Sequence, residues 1–65
     1  MSGRRLARAV ERKGWVLPRV QGSHHIHGRS GDTARLSIPV HHGRDLKAGL
    51  LAHLMRAAGV SFDDL

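Results

Sequence analysis

Between residues 4 and 13 the chain has no Gly or Pro, and Leu6, Ala9 and Val10 recur on one side of a 3.6-residue wheel. Arg4, Arg5, Arg8 and Arg12 fall mostly on the other side, so the stretch predicts a first helix, capped by Ser2 and stopped by Gly14. At Trp15 the period changes to two. Trp15, Leu17 and Arg19 alternate with Val16, Pro18 and Val20, which predicts a strand over 15–21. Pro18 has no N–H to give a ladder, and this puts the strand at an edge. Gly22-Ser23 makes a turn into a short segment, 24–27, whose one strongly apolar residue is Ile26. If Ile26 is core, the alternation buries His24 beside it and sends His25 and His27 to the other face.

Residues 28–32, with two glycines, read as a hairpin loop. The clearest strand follows over 33–40, where Leu36, Ile38 and Val40 alternate with Arg35, Ser37 and Pro39. After a polar loop at 41–45, Leu46, Leu50, Leu51, Leu54, Met55 and Ala58 form the apolar stripe of a second helix over 46–58. Asp45 is placed to help its N-terminus and Gly59 ends it. Gly49 costs a helix interior about 1 kcal/mol relative to Ala, so a start near Leu50 is the alternative. The tail, 60–65, is left to dock or to fray. The order helix, three strands, helix with short loops predicts an α+β domain: a three-stranded antiparallel sheet with both helices on one face and the other face free to bind.

Composition narrows what that free face meets. The 65 residues make one domain, 1–65, with a thin core, and without cysteine there is no disulfide or thiolate metal site to reinforce it. Eleven Lys+Arg against five Asp+Glu give a net charge of +6, which points to a polyanion, whether nucleic acid or an acidic protein. The plainer reading of that charge is solubility. A hydrophobic share of 40% excludes a disordered tail, and no apolar run approaches the ~20 residues that span a bilayer. A soluble, cytoplasmic protein with no membrane partner is expected.

Five of the six histidines cluster in Gly22-Ser23-His24-His25-Ile26-His27 and Val40-His41-His42, while His53 lies on the second helix. Three readings compete. A metal site would need three or four converging ligands, which His-x-His with a distant His-His pair could supply, but the clusters carry no Cys and the one carboxylate nearby is Asp32. Surface imidazoles on a basic sheet are the bland reading for His25, His27, His41 and His42. The third is acid–base chemistry on RNA. Attack of a 2′-OH on its own 3′-phosphate needs a base and an acid working near neutrality, for which imidazole is suited, and cations for the charge that builds on phosphorus.

The succession Gly14-Trp15-Val16-Leu17, Arg19-Val20-Gln21-Gly22-Ser23-His24-His25, Ser37-Ile38-Pro39-Val40-His41, Asp45-Leu46-Lys47-Ala48-Gly49-Leu50-Leu51 and Leu54-Met55-Arg56-Ala57-Ala58-Gly59-Val60 resembles the HicA family of toxins. These are small mRNA interferases of type II toxin–antitoxin pairs, with an α-β-β-β-α fold like that of double-stranded-RNA-binding domains. The resemblance spans nearly the whole chain. It implies a metal-independent endoribonuclease that needs no cofactor, acts on mRNA, is neutralised by a HicB-type antitoxin and reaches operator DNA only through the antitoxin complex. The family's catalytic histidine, which follows Gly-Ser, falls on His24. Gly22, Ser23 and His25 fall on the same motif, and Arg19, Arg35, Arg44 and Lys47 are the candidate phosphate contacts.

The chain departs from the family in having Pro18 in the first strand, Leu50 in place of a threonine, and no lysines in the 28–32 loop. An RNA-binding module that does not cut, and a regulatory subunit that acts only within the antitoxin pair, are the competing functions.

Overall fold

The computed structural model describes residues 1–65, the side chain of Pro18 apart. The elements are α1 (Gly3–Arg12), β1 (Val16–Gln21), β2 (His24–Arg29), β3 (Asp32–Pro39), α2 (Ala48–Ala58) and a final 3-10 turn, Phe62–Asp64. The strands form one antiparallel sheet in the order β1-β2-β3. The α+β class and the order of elements are those the sequence predicts. β1 is an edge strand, as Pro18 requires, and its pairing with β2 shifts register between Val16 and Arg19.

Both helices cover the face of the sheet that carries Leu36 and Ile38. The core joins these two to Leu6, Ala7, Ala9 and Val10 of α1, to Leu54, Met55 and Ala58 of α2, and to Trp15 and Val60. Trp15 is fully buried, and its indole N–H donates to the Ala58 carbonyl at 3.1 Å, satisfying an acceptor that the end of α2 leaves free. The Arg29 guanidinium sits 4.5 Å from the centre of the same ring, a cation–π contact that closes the core on that side.

Each helix begins and ends for a local reason. Ser2 caps α1 by accepting from the Arg5 N–H at 3.1 Å. Gly59, with φ +73°, stops α2 in the left-handed conformation that glycine adopts without penalty. The N-terminus of α1 lies so close to β3 that a Cβ on Gly3 would overlap the Pro39 carbonyl oxygen.

Three expectations are corrected and one left open is settled. β2 runs on through Gly28 and Arg29, which pairs with Asp32, so the loop expected over 28–32 shrinks to the turn at Ser30-Gly31. α2 starts at Ala48, because Lys47 is in the extended conformation of an N-cap; the Leu46 N–H before it donates to the Met1 carbonyl at 2.7 Å, and Asp45 faces the Met1 ammonium at 3.5 Å instead of assisting the helix. The third correction concerns β2. Its inward face carries His25 and His27, opposite Ile38 and Leu36, so His27 is fully buried and not a surface imidazole. His24 and Ile26 share the open face instead, with His24 exposed and Ile26 half-buried. The tail, left open between docking and fraying, docks: Arg12 donates to the Asp64 carbonyl at 2.8 Å and Lys13 pairs with its carboxylate at 3.6 Å.

Candidate functional site

The open sheet face is defined by register. Gln21, His24 and Pro39 lie side by side across the three strands, and so do Arg19, Ile26 and Ser37 one step further along. Paired residues of an antiparallel sheet project to the same side. This face therefore presents Arg19, His24, Arg35 and Ser37 away from both helices.

Gly22 and Ser23 build the turn that delivers His24. Gly22 has φ +57°, a conformation disfavoured for residues with a Cβ, which allows the chain to reverse and enter β2 at His24. Nδ1 of His24 lies 3.1 Å from Oγ of Ser37 on β3. This contact aims the ring. With Nδ1 held against the hydroxyl, Nε2 is the nitrogen that faces outward, and among the described residues it has no other partner. A serine hydroxyl accepts from Nδ1–H whether the imidazole is neutral or protonated, so one orientation serves both states of a proton-transfer cycle.

A second group of residues is brought to the same end of the sheet by the backbone. The Val40 N–H donates to the Ser23 carbonyl at 2.6 Å, extending the alignment of β2 and β3 past Pro39. The next residue, His41, then turns Nε2 to within 3.4 Å of the Ser23 hydroxyl. His41 also lines a hollow of about 290 Å³ with Pro39, Arg44, Asp45, Lys47 and Leu50. Pro39 belongs both to this hollow and to the row that contains His24. A larger hollow of about 390 Å³, between α2 and the tail, is lined chiefly by apolar residues such as Leu51, Met55 and Phe62 and contains no histidine.

The candidate residues named from sequence thus separate. Gly22, Ser23, His24, Arg44 and Lys47 gather around the β1–β2 turn and the hollow beside it. Arg19 is on the same face, two residues along from Gln21, or about 7 Å. Arg35 is four residues along β3 from Pro39, about 13 Å, where its guanidinium covers Gly28 and donates to the carbonyls of Asp32 and Ala34. His25 lies on the inner face, its ring centre 6.5 Å from that of His27. Among the described residues no three His, Asp or Glu side chains converge, so the two histidine clusters do not form the ligand set that their spacing left open.

Two members of the site were not among the sequence candidates. Ser37 was legible, since the alternation of the third strand puts it on the polar side. His41 was not, because the main-chain bond that places it has no sequence signature. No helix is long and apolar enough to cross a membrane.

The model of a protein family described as the HicA toxin of bacterial toxin–antitoxin matches residues 3–60, from the start of α1 to just past Gly59. A match over most of the chain defines the class of molecule: the toxin of a toxin–antitoxin pair. Within that class the chain belongs to the HicA toxin family. No curated protein matches the sequence.

Proposed function

We propose that this toxin is an endoribonuclease that cleaves mRNA with His24 as its acid–base residue and without a metal ion or other cofactor. The observation that carries the reading is the His24–Ser37 contact at 3.1 Å, which fixes an exposed imidazole on the open sheet face with Nε2 outward. In the step this geometry suits, Nε2 takes the proton of a ribose 2′-OH. The 2′-oxygen then attacks the adjacent phosphorus, and the 5′-oxygen leaves with a proton. Arg44 and Lys47, exposed and without an acidic partner among the described residues, meet the charge that builds on the phosphoryl oxygens, and Arg19 and Arg35 extend the grip along the sheet.

A net charge of +6 on the free toxin also fits an acidic HicB-type antitoxin that silences it by covering His24. On this reading the protein works in the cytoplasm and meets operator DNA only as part of that complex.

Purified protein incubated with RNA in EDTA tests the proposal. Cleavage by the wild type is expected, with His24→Ala inactive and its melting curve unchanged, since the residue is exposed. An active His24→Ala protein would refute the assignment of His24. Intact RNA with salt-sensitive binding would instead identify a module that binds without cutting.

A further inference from the structure

The reaction proposed above needs two proton-transfer groups, and His24 fills one role. The departing 5′-oxygen would otherwise leave as an unprotonated alkoxide, so a second group must deliver a proton on the far side of phosphorus. The remaining histidines differ in what the fold allows them to do. His27 is buried against Glu11, and His25 is on the inner face of the sheet. His53 lies on the exposed side of α2, away from the open sheet face. His42 is exposed in the turn after β3 and, among the described residues, makes no hydrogen bond to the β1–β2 turn. His41 is the exception, with Nε2 directed at Ser23, the residue before His24.

We infer that His41 is the second catalytic histidine, the general acid that protonates the leaving 5′-oxygen; the assignment rests on the nuclease reading of His24. Three observations support it. The position of His41 is set by the main chain, through the Val40 N–H and the Ser23 carbonyl, which gives a loop residue the fixed placement a proton donor needs. Its ring shares a hollow with Arg44 and Lys47, so a phosphate held by those cations would lie beside it. Pro39 lines that hollow and is also the β3 partner of His24, so the hollow includes the residue paired with His24.

The step is balanced in protons and bonds. Neutral His24 gains the 2′-OH proton as the P–O2′ bond forms, and protonated His41 gives its proton to O5′ as the P–O5′ bond breaks. The products are a 2′,3′-cyclic phosphate and a free 5′-OH. The two histidines exchange protonation states, and solvent restores them.

An RNA whose cleaved linkage carries sulfur in place of the 5′-oxygen separates this role from any structural one. A thiolate leaves without needing a proton, so loss of a general acid does not slow its departure. His41→Ala is expected to slow cleavage of the ordinary linkage at least 100-fold, within the range general acid catalysis supplies. On the thiolate linkage it is expected to stay within about threefold of wild type, whereas His24→Ala is slow on both. His41→Gln, which keeps a polar group next to Ser23 but carries no transferable proton, is expected to behave like His41→Ala. Equal losses on the two linkages, or no loss on the ordinary one, would overturn the assignment of His41 while leaving that of His24 in place. A wild-type protein inert on both RNAs would overturn the nuclease reading itself, and this assignment with it.

Discussion

Nε2 of His27 lies 2.8 Å from Oε2 of Glu11, joining the inward face of β2 to α1, and the imidazole is fully buried while the carboxylate keeps 40% of its surface exposed. Nδ1 of the same ring is buried without a partner. An ionised carboxylate can only accept, so Nε2 carries the hydrogen that donates to Glu11. This buried pair fastens the first helix to the middle strand.

Glu11→Ala leaves the Nε2–H of His27 without an acceptor, a loss of about 1–3 kcal/mol. In a domain of this size each kcal/mol lowers the melting temperature by roughly 4–8 °C. Glu11→Gln, whose side-chain carbonyl still accepts, is expected to recover most of the loss. Thermal melts decide the matter, and a Glu11→Ala protein that melts with the wild type removes the pair from the account of stability.

Removing the partner of His24 acts on rate instead. Ser37 is exposed, so Ser37→Ala is expected to fold normally and to lower kcat by up to tenfold with KM little changed. A single hydrogen bond contributes about 0.5–1.5 kcal/mol and tenfold in rate corresponds to about 1.4 kcal/mol, which sets the ceiling. Ser37→Thr keeps the hydroxyl and is expected to restore the rate. Unchanged kcat in Ser37→Ala would show that the ring needs no such support.

Two glycines in helices are expected to respond to alanine with opposite signs. At Gly3 the added Cβ meets the Pro39 carbonyl, so α1 must move off β3 at a cost of about 1–3 kcal/mol. At Gly49 there is no atom within 4 Å, and Gly49→Ala is expected to stabilise by about 0.5–1 kcal/mol through the better helix propensity of Ala. Calorimetry of the two variants tests the pair, and the same sign of shift in both would contradict the packing described.

Acid should loosen the tail and the β2–β3 hairpin. The Ser61 backbone N–H donates to the Asp64 carboxylate at 2.8 Å, and this bond, helped by the Ser61 hydroxyl and Lys13, holds Asp64 below its ordinary pKa despite partial desolvation. Asp32 is lowered in the same way, first by the Ala34 N–H and then by Arg29. A carboxyl whose pKa is lower folded than unfolded adds stability above its unfolded value, and that stability is lost as the pH falls through the folded one. The melting temperature is therefore expected to decline below the ordinary carboxylate range, and less steeply in Asp64→Asn and Asp32→Asn. Parallel curves for wild type and variants would rule these two carboxyls out as the source.

Residues 33–40 and the Leu54-Met55-Ala58 stripe were legible because alternation and helical period both reflect burial, and burial is what the core provides. His27 was misplaced because its type says polar and only the pairing with Leu36 puts it inside. The start of α2 was misplaced because Asp45 and Leu46 are tied to Met1, distant in sequence, and Lys47 is extended. The candidate site divides the same way. His24 and its turn glycine follow a local motif, and Ser37 follows from the alternation of its strand. His41 depends on a long-range main-chain bond.

That bond, from the Val40 N–H to the Ser23 carbonyl, has a consequence for change over time. A contact between main-chain atoms does not depend on which side chains follow it, so on the proposed reading the residues after His41 can vary while the root of the segment stays fixed beside the turn. On the proposed reading, mutation there retunes how firmly, and which, polyanions are held without disturbing where His24 sits, so a small toxin built this way can drift in what it grips while the position of the proposed chemistry stays put.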